Sequence, residues 1–85
     1  MCTGHVELTD IKGSAKGPQG WFPVQRAQVS YDHPFHAQMD EAVLIDFDNP
    51  NRGAGARLSV ELSPDSAREL VRVIEGALAH PGEHG

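Results

Sequence analysis

The segment Ala42-Val43-Leu44-Ile45 places the strongest constraint on the fold, because four apolar residues stand in a row before Asp46-Phe47. Successive side chains of a β-strand point to opposite faces of the sheet, so a strand with this sequence is apolar on both faces. Strands of that kind are covered on both sides. We therefore expect residues 42–47 to form a strand with other structure packed above and below it.

Three other segments alternate apolar and polar residues in the way that predicts half-buried strands: residues 4–12, 24–31 and 57–62. In the first of them, Val6 and Leu8 are expected on the buried face. Ile11 interrupts the alternation, so a bulge or the end of the strand is expected near Asp10. Sequential strands usually pair with each other, which predicts an antiparallel meander.

Residues 13–22 separate the first two predicted strands and contain three glycines and a proline. This composition predicts a loop, long for a hairpin, whose end is held by Trp21 and Phe22. A phosphate cradle is the alternative, since glycines let backbone N–H groups approach an anion closely. The segment matches neither the Walker pattern nor the dinucleotide fingerprint, and no helix pattern follows it. We therefore favour a flexible loop.

A helix is predicted after the fourth strand. Ser63-Pro64-Asp65 combines an N-cap residue, a proline at the first helical position and an acid that favours the helix dipole. Pro81-Gly82 ends the helix, and its apolar residues share one face: Ala67, Leu70, Val71, Ile74 and Leu78. The pattern predicts an α+β fold, a four-stranded antiparallel β-meander with one C-terminal α-helix packed on one face (ββββα). We expect one domain over residues 1–80 and a disordered tail over residues 81–85.

The chain has 85 residues, and one helix cannot cover both faces of a four-stranded sheet. A domain of this size buries only about 60% of the surface that its unfolded chain exposes. The single cysteine, Cys2, excludes an intramolecular disulfide, which leaves a metal or assembly to add stability. We therefore expect a homodimer or a higher homo-oligomer.

Charge and hydropathy exclude several classes of function. The chain has 12 acidic and 7 basic residues and a formal charge of −5. The basic residues form no block that would neutralise phosphates, so nucleic-acid binding is not expected. No apolar run approaches the roughly 20 residues of a membrane span, and residues 1–12 lack the pattern of a signal peptide. These features predict a soluble cytoplasmic protein.

Two histidines, His33 and His36, lie three residues apart in a turn that follows the second strand. If the first two strands pair around the predicted loop, Cys2 lies opposite His33, and His5 lies opposite Ser30. A thiolate with two imidazoles is a ligand set for zinc or another transition metal. We therefore predict a metal site at Cys2, His33 and His36, whose role, structural or catalytic, is left open.

Further residues join this site as candidates or offer alternatives to it. Asp32 is a candidate for a fourth ligand or for an acceptor that holds an imidazole in orientation, and His5 is a second candidate for such an outer position. In the first alternative no metal is bound, and the two histidines cap the turn or form hydrogen bonds across an oligomer interface. In the second, Cys2 is a nucleophile activated by His33, although the sequence specifies no oxyanion hole and no reaction. A metal-free accessory module that docks a protein partner or an apolar small ligand on the open sheet face is the rival function.

Trp21, Asp46 and Arg57 are the remaining candidates for functional residues. Asp46 and Asp48 share one face of the third strand and have two interpretations, a paired-carboxylate site and an ordinary solvated surface, of which we favour the second. Arg57 on the neighbouring strand is expected to pair with Asp46.

Several short motifs together resemble a family of small actinobacterial proteins of unknown function, the domain of unknown function numbered 6295. The resemblance covers nearly the whole chain, although Gly4 stands where the family often has an aromatic residue. The matching segments are 1–3, 13–14, 16–17, 20–22, 32–34, 36–37, 45–47, 49–50, 56–57 and 60–62. Cys2, His33 and His36 fall within them. The resemblance implies a bacterial cytoplasmic protein and supplies no activity.

Overall fold

The computed structural model describes residues 5–53 and 55–80. Four strands form one antiparallel sheet in the order β1-β2-β3-β4, and a single helix, α1, follows the last strand. The predicted ββββα order is therefore confirmed. The predicted tail, residues 81–85, lies outside the described residues. The elements are β1 (Val6–Gly17), β2 (Gly20–Asp32), β3 (Ala42–Asp48), β4 (Arg57–Leu62) and α1 (Pro64–Leu78).

Local sequence signals place the second half of the chain well. β4 has the predicted bounds, and β3 extends one residue beyond the prediction. α1 begins at Pro64, and the Ser66 N–H donates to the Ser63 hydroxyl over 3.2 Å, so Ser63 is the predicted N-cap. Each of these signals lies within a few neighbouring residues, which explains why the sequence alone locates them.

The predicted loop over residues 13–22 is wrong. β1 and β2 continue through this region as a long hairpin, and only Pro18-Gln19 separates them. The pairing shifts by one residue between Asp10 and Gly13, which is the predicted bulge. After the bulge the ladder continues, with Ala15 opposite the buried Phe22. This tertiary pairing overrides the weak strand preference of the glycines.

The observed register differs by one residue from the register predicted for β1 and β2. Val6, and not His5, lies opposite Ser30. Val6 and Leu8 are 50% and 58% exposed, so their predicted burial is wrong for a single copy of the chain. They lie on an edge strand, on the sheet face that Ser30 and Leu44 also share, and α1 does not cover this face.

The opposite face of the sheet is apolar on the two inner strands, β2 and β3, and on the edge strand β4. We call it the apolar sheet face. Three cross-strand rows form it: Tyr31, Val43 and Leu62; Val29, Ile45 and Val60; Ala27, Phe47 and Leu58. α1 begins at the end of this face, where Pro64, Ala67 and Val71 lie beside Tyr31 and Val43.

α1 covers little of that face. None of its residues is buried, and Ile74 and Leu78 are 49% and 71% exposed. The Cα radius of gyration is 14.4 Å, against about 12 Å for a compact chain of this length. Among the described residues, the buried apolar side chains are Phe22, Val24, Ala27, Ala42 and Ala56. The helix that was expected to complete the core therefore presents an open apolar surface.

Asn49 is a buried polar residue that joins the hairpin to the β3–β4 loop. Its side-chain amide donates to the Pro23 carbonyl over 2.9 Å, and its side-chain oxygen accepts from the Asn51 N–H over 3.0 Å. Its own N–H donates to the Ala56 carbonyl, which closes the loop. The tip of the hairpin is thereby held against this loop.

Replacing Asn49 with alanine is expected to lower the free energy of unfolding by about 1–3 kcal/mol, because the buried Asn49 side chain loses its hydrogen bonds to the Pro23 carbonyl and the Asn51 N–H. Urea unfolding followed by circular dichroism measures the change. Asn51→Ala is the matched control, since its exposed side chain donates to the Gln25 side chain at the surface, and a change within about 0.5 kcal/mol is expected. Equal effects of the two substitutions would contradict the role given to Asn49.

Candidate functional site

The two predicted histidines lie in residues 33–41, which connect β2 to β3 without regular secondary structure. Regular pairing ends at Asp32, opposite Ala42, and Pro34 has no N–H to continue it. The side chain of Asp32 accepts a hydrogen bond from the His33 N–H over 2.7 Å, which starts the turn. We call residues 33–41 the histidine loop.

Glu61 of β4 holds the histidine loop through its backbone. Its carboxylate accepts the N–H groups of Phe35 and Ala37, each over 2.7 Å, and that of His36 over 3.2 Å. Three consecutive N–H groups that point at one anion satisfy donors that no strand or helix partner reaches. Glu61 therefore replaces the missing sheet hydrogen bonds at this end of the molecule.

These hydrogen bonds also change the acidity of Glu61. The N–H of Ala37, followed by those of Phe35 and His36, holds the pKa of the Glu61 carboxyl below its ordinary value of 4.5. The charge of the His36 ring acts in the same direction. The ionised carboxylate is the form that binds the loop.

The ring of His33 has a defined hydrogen-bonding role. Its Nδ1 lies 3.0 Å from the carbonyl oxygen of Asp40. A carbonyl oxygen only accepts, so Nδ1 carries the proton, and in the neutral ring the lone pair is on Nε2. Metal-binding histidines are commonly held in this way, with one ring nitrogen donating to a carbonyl and the other free to bind the ion.

The other end of the histidine loop is held by Tyr31 and Glu41. The Tyr31 hydroxyl donates to the Glu41 carboxylate over 2.5 Å. This hydrogen bond to a carboxylate raises the pKa of Tyr31 above its ordinary value of 10.0. The phenol therefore stays protonated at neutral pH and acts as a fixed donor.

The predicted ion pair between Asp46 and Arg57 is present. Arg57 Nη2 lies 3.1 Å from an oxygen of Asp46, and the Ser59 hydroxyl donates to the other oxygen. Asp48 accepts two hydrogen bonds from Arg26, over 3.0 and 2.7 Å, which hold its pKa below the ordinary value. Both carboxylates are thus engaged by cations across the sheet, and they do not form a free carboxylate pair.

The structure separates the other predicted residues from the histidine loop. Trp21 stands at the opposite end of β2, whose length from Gly20 to Asp32 is roughly 40 Å. His5 is exposed, with its Nε2 2.6 Å from a carboxylate oxygen of Glu7. Cys2 lies outside the described residues. Within residues 5–53 and 55–80, no three His, Cys, Asp or Glu side chains form a group that could hold a metal ion.

Sequence reasoning missed Glu61 and Glu41. Glu61 occupies an ordinary polar position of β4, and its partners lie 24 to 26 residues away in the chain. Local periodicity carries no information about a contact of that range. A signal did exist, because the N–H groups that follow Pro34 need acceptors that the predicted strands do not offer.

Comparison with known protein families gives a match that covers the whole chain. The model of a family of unknown function (DUF6295) matches residues 1–85. The chain belongs to that family. This confirms the resemblance carried by the sequence motifs. No curated protein and no solved structure matches the chain. In the part of the chain that the structure describes, no helix is long and apolar enough to cross a membrane. Family membership brings no activity, so function has to be argued from the geometry.

The Glu61 contacts are expected to make stability depend on pH. Because the pKa of Glu61 is depressed in the folded state, its contribution is present above the unfolded value of 4.5 and is lost as the pH falls through the folded value. Glu61→Gln places an amide N–H₂ among backbone donors. We expect it to lower the urea midpoint at about pH 7 and to flatten the loss of stability towards about pH 3.

Glu75→Gln is the matched control, since this helix residue receives none of the histidine-loop N–H groups. Hydrogen exchange of the Phe35, His36 and Ala37 amides gives a second measurement, and faster exchange is expected in Glu61→Gln alone. An unchanged pH dependence in that variant would show that Glu61 does not hold the loop.

Proposed function

We propose that this protein is an interaction module that works as a homo-oligomer, in its simplest form a homodimer. The observation that supports this function is the open apolar surface of α1 beside the apolar sheet face. Twelve large apolar side chains are exposed among the described residues, five of them in α1: Leu70, Val71, Val73, Ile74 and Leu78. A surface of that kind favours association.

The exposed area supports an obligate assembly. One copy exposes 6652 Å², whereas a compact monomer of 9.2 kDa exposes about 4,900 Å². The excess is about 1,700 Å². Obligate homodimers bury about 1,000–2,500 Å² on each copy, so a second copy of the chain has the right size to cover the excess.

The charge pattern of α1 favours one side of the helix for contact with a second copy. Arg68 pairs with Asp65 and Arg72 pairs with Glu69, so the polar side satisfies its own charges in solvent. Leu70, Ile74 and Leu78 follow each other at intervals of four residues on the other side. We propose that this apolar side packs against the same element or the apolar sheet face of the second copy.

The competing interpretation is that the apolar sheet face binds a different protein or an apolar small ligand. A second copy is favoured because the buried apolar side chains of the described residues are few and mostly alanine. A core this small favours a partner that is present whenever the chain folds. A transient partner or a small ligand would not meet that need.

Light scattering coupled to gel filtration tests the assembly. We expect a mass of 18.4 kDa or a larger multiple of the 9.2 kDa chain, together with a melting temperature that rises with protein concentration. Ile74→Glu is expected to give a 9.2 kDa species or an unfolded chain, because the charge would be buried in the interface. Circular dichroism separates these two results.

Glu69→Ala, on the polar side of α1 where Glu69 pairs with Arg72, is the matched control and should leave the assembly intact. A wild-type chain that stays a folded 9.2 kDa monomer at high micromolar concentration would overturn the proposal. Selective loss of a co-purifying apolar ligand in Ile74→Glu, without a change of mass, would favour the ligand interpretation.

As a second candidate function we propose transition-metal binding, most simply of zinc, by Cys2, His33 and His36. The observation in its favour is the hydrogen bond from His33 Nδ1 to the Asp40 carbonyl, which leaves Nε2 as the ligating atom. Glu61 fixes the backbone that carries His36. Three protein ligands would leave one tetrahedral position for water, so both a structural and a catalytic role are consistent with the ligand set.

Elemental analysis of untagged protein tests the metal. About one zinc per chain is expected in the wild type and a loss of it in Cys2→Ser, His33→Ala and His36→Ala. His80→Ala is the matched control, because that ring donates to the Gly76 carbonyl on α1, away from the loop. Zinc, copper and nickel that all fail to bind in chelator-free protein would end this candidate.

A further inference from the structure

A small cavity of about 160 Å³ lies at the end of the molecule opposite the histidine loop. The β1–β2 turn and the β3–β4 loop form it, and its lining includes Trp21, Arg52, Gln19 and Gly55. Pockets for drug-sized ligands measure about 300–1,000 Å³, so this cavity suits a fragment-sized molecule or one end of a larger one. Nothing in the two proposed functions uses it.

The charge at this end is opposite in sign to the charge of the whole chain. The protein carries −5, yet residues 11–25 and 49–57 contain no aspartate or glutamate. They contain Lys12, Lys16, Arg52 and Arg57. Lys16 lies directly across the hairpin from Trp21. Arg57 pairs with Asp46, whereas Arg52 lines the cavity itself. A cavity with a cation in its lining, and no carboxylate in the two segments that form it, attracts anions selectively.

Arg52 differs from the other arginines of the chain. Arg26, Arg57, Arg68 and Arg72 each pair with a carboxylate. Arg52 has no such ion pair within the described ranges, and it lines the cavity. A guanidinium without a partner presents a planar fork of donors that matches a carboxylate in a bidentate way.

Trp21 supplies a flat apolar surface beside this cation. Its side chain is 71% exposed although it is among the largest apolar groups of the chain. An indole face favours stacking with another planar ring. Its chain neighbour Phe22 is buried and also lines the cavity, which gives the Trp21 backbone a fixed position.

The backbone around the cavity is built for close approach. Gly20 has a φ of +107°, which a side chain would strain. A Cβ on Gly55 would stand 3.1 Å from the Gln19 side-chain oxygen, so glycine lets the loop contact the turn. Asn49 closes the same loop with buried hydrogen bonds. The two segments that form the cavity, the β1–β2 turn and the β3–β4 loop, are therefore fixed relative to each other.

We propose that this cavity binds a small organic anion with a planar aromatic ring, of the aromatic carboxylate class. The ring stacks on Trp21, and the carboxylate accepts hydrogen bonds from Arg52, with Lys16 adding to the local positive potential. The apolar surface of α1 lies at the far end of β2, so this site is separate from the helix side of the proposed assembly surface.

Trp21 is the only tryptophan in the chain, so its fluorescence and its indole N–H resonance report directly on the cavity. Titration of the full chain with benzoate is expected to give saturable changes in both, with a dissociation constant of about 1 mM or tighter for a ligand of this size. Benzamide, which keeps the ring without the charge, and acetate, which keeps the charge without the ring, should each bind at least about tenfold more weakly.

Arg52→Gln should weaken benzoate binding by about tenfold or more, whereas Arg68→Gln, at a paired arginine of α1, should leave it unchanged. Equal binding of benzamide, or of inorganic phosphate, would overturn the proposal of an aromatic carboxylate. So would an Arg52→Gln variant that binds like the wild type. A Trp21 shielded from iodide quenching in the ligand-free protein would place it in a protein interface and would also overturn the proposal.

Discussion

The shortage of buried apolar surface in one chain is the constraint on which the rest of this structure depends. Within residues 5–53 and 55–80, three of the five buried apolar residues are alanines, and the large side chains of α1 remain exposed. Burial of a large apolar side chain stabilises a fold by about 1.5–3 kcal/mol. A chain that exposes many such side chains therefore lacks the stabilisation that their burial would give. The proposed assembly follows from this imbalance more directly than from any single contact.

Buried and half-buried polar contacts order the loops where the core is missing. At one end the Glu61 carboxylate gathers three backbone N–H groups of the histidine loop. At the other end Asn49 joins the β3–β4 loop to the hairpin. Hydrogen bonds of this kind give a loop a defined conformation without a large apolar core beneath it. Both ends of a small sheet can therefore present shaped surfaces.

The molecule therefore has three surfaces to which we assign separate proposed roles. The apolar side of α1 and the apolar sheet face serve assembly in our proposal, the histidine loop offers a metal-binding imidazole, and the cationic cavity at Trp21 offers an anion site. The cavity at Trp21 and the histidine loop lie at opposite ends of β2, roughly 40 Å apart, so a substitution at one need not disturb the other. The tests of the anion site and of the metal site are independent for the same reason.

The sequence by itself determined the order of elements, the bounds of β4, the start of α1 at Ser63-Pro64, the bulge near Asp10 and the Asp46–Arg57 pair. Each follows from neighbouring residues or from one cross-strand step. Only the tertiary structure decided that residues 13–22 pair as a hairpin, that Val6 faces solvent, and that Glu61 holds the histidine loop. These features depend on register and on contacts across 24 or more residues, which local preference does not encode.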